Sequence, residues 1–191
     1  MKRISFILLL SSFGLVSANA QNKKEGYRFH SINNVGWLDG KGASSMMVQT
    51  INGFSKGSWF GGLGVAMDFY RYRTFPVFAD LRYEFGKTGN RFFVYGDGGV
   101  NLDWVQPHFM RESFAWNGNL TNDFKSGFYS DIGIGVSLRL KKEKQFLLSV
   151  GHTGKTLKEL VSYDDWISDK RITDVYKYHL NRIVFKLGFK F

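Results

Sequence analysis

From Ile183 to Phe191 every odd position is a large apolar residue: Ile183, Phe185, Leu187, Phe189 and Phe191. The even positions from 182 read Arg182, Val184, Lys186, Gly188 and Lys190. A period of two belongs to a β-strand with two unlike faces, here one greasy and the other mostly cationic. Five apolar residues on one face of a strand that stops on Phe191 fit poorly with water, into which a free end frays. They fit a strand whose outer face touches lipid.

The same alternation runs upstream. Positions 27–38 and 44–54 form two strands, the first blurred by Asn33, Asn34 and Gly36. The third, 59–70, sets Trp59, Leu63, Val65, Met67 and Phe69 against Phe60, Gly62, Gly64, Ala66, Asp68 and Tyr70. In the fourth, Val77, Ala79, Leu81, Tyr83 and Phe85 oppose Phe78, Asp80, Arg82 and Glu84. Three consecutive same-face charges cannot face lipid, where each costs up to about 2–4 kcal/mol near the midplane, so they point inward. The fifth strand sets Phe92, Val94, Val100, Leu102 and Trp104 against Arg91, Tyr95, Asp97 and Asn101. The sixth sets Phe128, Ile132, Ile134, Val136 and Leu138 against Tyr129, Asp131 and Arg139. A seventh runs over 145–153, and the strand ending at Phe191 is the eighth.

Short turns at 55–58, 86–89 and 141–144 alternate with connections at 39–42, 71–75, 105–126 and 154–174, the last two long. That alternation matches the short periplasmic turns and longer extracellular loops of outer-membrane barrels. Within 154–174, Thr156 and Glu159 have the spacing of a helix capping box, so a short helix is expected there. Outward aromatics cluster at two levels, Trp59, Phe85, Phe146 and Phe191 at one and Trp37, Trp104 and Phe128 at the other, as two interfacial girdles require. The expected fold is all-β, an eight-stranded antiparallel up-and-down transmembrane β-barrel. A soluble lipocalin-like barrel with its apolar faces inward is the alternative, and it leaves the girdles and Phe191 unexplained.

Composition sharpens this. Lys2 and Arg3, a mainly apolar run over 4–16 and the Ala18-Asn19-Ala20 site form a secretory signal over 1–20, leaving 21–191 as one barrel domain. The absence of cysteine excludes a disulfide-stapled module and a lipid-anchored lipoprotein. The net charge of +10 invites a nucleic-acid partner. The clusters, Lys23-Lys24 and Lys141-Lys142-Glu143-Lys144, lack interleaved aromatics for base stacking, so none is expected.

The chain resembles the small eight-stranded outer-membrane barrels of the OmpA/OmpX type and, more narrowly, the outer-membrane-protein β-barrel domain family. The residues that carry the resemblance are Gly62-Leu63-Gly64-Val65-Ala66-Met67-Asp68-Phe69-Tyr70, Phe75-Pro76-Val77-Phe78-Ala79-Asp80-Leu81-Arg82-Tyr83, Tyr95-Gly96-Asp97-Gly98-Gly99 and the aromatic terminus. It implies localisation in the outer membrane of a Gram-negative bacterium, contact with outer-membrane lipids and lipopolysaccharide, and a monomer. It also implies an assembly signal at Phe185, Leu187, Phe189 and Phe191, read by the outer-membrane assembly machinery. It does not fix a role, because this fold hosts many.

The inward charges are Asp68, Asp80, Arg82, Glu84, Arg91, Asp97, Asp131, Arg139, Arg182 and Lys186. An eight-stranded lumen is only wide enough to be filled by side chains, so these are expected to pair, with Asp–Arg contacts between neighbouring strands. A narrow pore is the alternative. The enzyme alternative is a lipid-A deacylase, with Ser130 as nucleophile and His152 as base, one diagonal cross-strand step apart on the outer face. No carboxylate stands beside them to orient the histidine. His30, His108, His152 and His179 are scattered, so neither a metal nor a cofactor is expected.

Overall fold

Eight staves of antiparallel β-structure close into a ring. The computed structural model describes residues 26–40, 44–69, 73–86, 90–103, 121–140, 144–165 and 170–191. The strands are β1 (Arg28–Asp39), β2 (Ser45–Lys56), β3 (Trp59–Asp68), β4 (Thr74–Phe85), β5 (Asn90–Asp103), β6 (Thr121–Lys125), β7 (Gly127–Arg139), β8 (Gln145–Asp165) and β9 (Lys170–Lys190). Each of β1 to β4 pairs with the next, β5 pairs with β7, β7 with β8, β8 with β9, and β9 returns to β1, while β6 pairs with β8. The stretch 1–20 expected to be a signal, Trp104, most of the loop over 105–126 and the centres of the turns at 39–42, 71–75, 86–89 and 141–144 lie outside the described residues.

The register fixes the shape. Following paired residues once around, from Lys190 through Ile32, Ile51, Gly64, Phe78, Gly99, Tyr129 and Lys155, returns to β9 at Leu180. With a rise of ~3.3 Å per residue and strands ~4.7 Å apart, a stagger of that size tilts the staves by ~40°, as closed barrels require. Ser31 and Phe191 exchange backbone hydrogen bonds at 2.8 and 3.0 Å, so the last residue is tied into the seam rather than fraying. A two-residue turn at Gly57 and Ser58 joins β2 to β3, and Gly57 has φ 61°, a conformation that side chains disfavour.

The outer wall is apolar. Leu63, Leu81, Phe92, Ile132, Ile134 and the odd residues of β9 are exposed, while Ile32, Ile51, Phe60, Phe78, Phe93 and Tyr129 fill the interior. Aromatics pack around the rim near Phe191, with Trp59 and Tyr83 tilted at 4.8 Å, Phe146 and Phe189 edge to face at 5.1 Å, and Phe85 and Phe92 stacked at 6.0 Å between ring centres. Trp37 and Phe128 are exposed towards the other rim. In β1 and β2 the inward residues are Ile32, Asn34 and Leu38 with Met47, Gln49 and Ile51. Of the residues that blur the first strand, Asn33 turns outward while Asn34 and Gly36 face the interior.

Two expectations are corrected. Strand seven does not end at Thr153: β8 continues to Asp165 and β9 begins at Lys170, so most of 154–174 is a paired extension of the wall. Thr156 and Glu159 accordingly sit in β8, not in a helix. The sixth stave extends too, as β6 beside β8, and the step from Lys125↔Lys158 to Tyr129↔Lys155 leaves one extra residue, a β-bulge. The hydroxyl of Thr156 accepts the Phe128 N–H at 2.7 Å, satisfying a donor that the bulge frees. A Cβ on Gly127 would lie 2.1 Å from the Thr156 carbonyl oxygen, so this kink needs glycine.

Candidate functional site: a charge network across the lumen

The pairing of β4, β5 and β7 sets three carboxylates side by side, because Asp80 opposes Asp97 and Asp97 opposes Asp131. All three are buried. Like charges directly opposed repel, so the row stands only with cations and donors around it. Arg82, two residues along β4, donates to both oxygens of Asp80 at 2.9–3.0 Å and lies over the rings of Phe93 and Tyr95. From β9, Lys186 donates to Asp131 at 2.8 Å and lies 3.9 Å from Asp97, 4.1 Å above the Tyr95 ring centre. Tyr95 donates to the other oxygen of Asp131 at 3.0 Å. Gln49 of β2 donates to Asp97 at 3.1 Å and accepts from Asn34 at 2.8 Å. Three carboxylates thus meet two cations. Asp97 Oδ1 and both amide atoms of buried Asn101 have no hydrogen-bond partner among the described residues.

Two further lysines tie opposite walls. Lys190 of β9 donates to Glu84 of β4 at 2.5 Å, with Arg91 also 3.6 Å from Glu84. Lys155 of β8 donates to Asp68 of β3 at 2.6 Å and to Thr74 at 3.2 Å. In the ring β9 faces β4 and β8 faces β3, so each tie crosses the full lumen. With Lys186 between them, the links stack from one rim to the other.

Of the residues read as inward, Asp68, Asp80, Arg82, Glu84, Asp97, Asp131, Arg182 and Lys186 are buried. Arg91 is half-exposed at the rim, and Arg139, at the end of β7, is exposed. Arg139 keeps the inward parity but lies past the point where the wall encloses it. Asp–Arg pairing between neighbouring strands is not what joins the acids. Arg82 pairs within its own strand, since the row beside Asp80 is itself aspartate; Arg91 reaches Glu84 from the neighbouring strand, and Lys155, Lys186 and Lys190 make the ties between staves that are not neighbours. Lys155, Lys190, Gln49 and Asn34 belong to the network and were missed. Lys190 continues the even-numbered parity of Arg182 and Lys186, a signal that was available.

Ser130 opposes Gly154 and His152 opposes Ile132, so the two are diagonal neighbours as the spacing predicted. Their side chains share no hydrogen bond. Among the described residues no group of three His, Cys, Asp or Glu is placed to hold a metal.

No protein-family profile and no curated protein sequence matches the chain. Solved structures do match. The crystal structure of the outer membrane protein OprG from Pseudomonas aeruginosa superposes with a TM-score of 0.54 at 13% identity, covering 85% of this chain and 94% of that one. The crystal structure of Neisserial surface protein A gives 0.51 at 10% identity, covering 87% and 98%. The fold is that of a small outer-membrane β-barrel. The apolar outer wall, the aromatic rims and the buried charges are those of a barrel whose outer face meets lipid.

Proposed function

We propose that the protein is a closed, non-enzymatic outer-membrane barrel with a structural or surface-interaction role. Its lumen is fixed by the charge network, and its contacts are made by the extension of β6, β8 and β9 beyond the rim. The supporting observation is the stack of cross-lumen ties, Lys190–Glu84, Lys186–Asp131 and Lys155–Asp68. Each joins staves that are not neighbours, so an ion passing through would have to part buried pairs at successive levels. Such pairs are costly to break, by about 3–5 kcal/mol when one partner is lost. The outward row Phe185, Leu187, Phe189 and Phe191 offers the assembly machinery an aromatic terminal strand, and the barrel works as a monomer.

Planar-bilayer recording tests this reading. The wild-type barrel is expected to give no discrete conductance steps, and Lys155→Ala, which opens one tie, to give at most brief events. Regular, long-lived steps from the wild type would make it a pore.

A further inference from the structure

Beyond the rim, three lysines stand in one row. Lys125 of β6 directly opposes Lys158 of β8, and Lys158 directly opposes Lys177 of β9. Opposed residues of antiparallel strands share a face, so the three ammonium groups lie together on the face of β9 that also carries Ile183 and Phe185. All three are exposed, and none has an ion pair or hydrogen bond among the described residues. Glu159 points to the opposite face, where it accepts from Tyr178 at 2.7 Å. Asp123 shares the lysine face two residues from Lys125, opposite Leu160, and one carboxylate cannot neutralise three cations. Like charges placed directly opposite destabilise a sheet, so this arrangement calls for an anionic partner with several charges.

Height selects the partner. Lys177 is six residues beyond Ile183 on β9, which at ~3.3 Å per residue and a ~40° tilt is about 15 Å above it. Paired rows drop by ~3 Å per strand at that tilt, which puts Lys125 about 9 Å above the same point. Phospholipid head groups fill only about 5–8 Å beyond the hydrocarbon on each side. The phosphorylated, acidic saccharide of lipopolysaccharide stands taller. We propose that the row Lys125, Lys158 and Lys177 binds the phosphate and carboxylate groups of that saccharide. This rests on the surface-interaction reading and names its partner.

The test uses the full-length folded barrel in neutral detergent, titrated with purified lipopolysaccharide. The triple variant Lys125→Gln, Lys158→Gln, Lys177→Gln is expected to bind about tenfold more weakly and to lose most of the salt dependence. Lys158→Arg keeps the charge and is expected to bind as the wild type does. Enzymatic removal of the phosphates is expected to bring wild-type affinity down towards that of the triple variant. Equal affinity of the wild type and the triple variant would overturn the proposal. So would an equal loss on micelles containing phosphatidylglycerol, which would assign the row to phospholipid. The bilayer recordings do not depend on these lysines, so either reading can fail alone.

Discussion

Lys186→Met is expected to lower the unfolding free energy of the barrel by about 3–5 kcal/mol, read as a large drop in urea midpoint in detergent or lipid. Methionine keeps the volume of the stem and removes the charge that lies between Asp131 and Asp97. Asp80, Asp97 and Asp131 would then face Arg82 alone, and the uncompensated charge would remain buried. Asp97→Asn should act in the opposite direction. It preserves an oxygen for Gln49, removes one of three opposed carboxylates and leaves two acids against two cations, so the midpoint should rise. A loss below about 1 kcal/mol for Lys186→Met would mean that water already screens the layer.

The second large effect comes from the wall behind Tyr95. A Cβ on Gly151 would lie 2.2 Å from the Tyr95 hydroxyl oxygen, 2.7 Å from the carbonyl oxygen of Ile132 and 3.1 Å from Asp131 Oδ1. Gly133, the residue paired with it, is as confined, with the same hydroxyl 2.6 Å away. These glycines leave the space into which the ring and its hydrogen bond to Asp131 fit. Gly151→Ala is expected to cost about 2–3 kcal/mol, from overpacking and from pushing Tyr95 off Asp131. Adding Tyr95→Phe removes the clashing atom, so the double variant should be more stable than the sum of the single losses requires. Strict additivity would show that the two positions do not meet.

The fold was largely legible because the faces of β3, β4, β5 and β9 differ in chemistry, so a count of period two was enough to assign them. It is least legible in β1, where polar Asn33 faces outward and polar Asn34 faces the lumen, so the two faces do not differ in chemistry. The full lengths of β8 and β9 are not legible, because Gly154 and the polar residues after it have the pattern of a break. Pairing on both sides of β8, by β6 and β9, carries the strand through. Lys155, which makes one of the two ties across the whole lumen, lies in that extension. The inward acids could be found from parity alone. Their partners could not, since Glu84 and Lys190 are brought together only by the stagger of the ring.

The central claim is that side chains close this lumen, and a single introduced thiol tests it most directly because the chain has no cysteine. Asn101→Cys places the thiol at a fully buried lumenal position, and Ser44→Cys places one at an exposed position just before β2. With a water-soluble maleimide added to the folded barrel, the Ser44→Cys thiol should react to completion. The Asn101→Cys thiol should stay unmodified until the barrel is unfolded in urea. Equal reaction rates at the two positions in the folded protein would mean that water runs freely through the barrel, and would contradict the closed lumen.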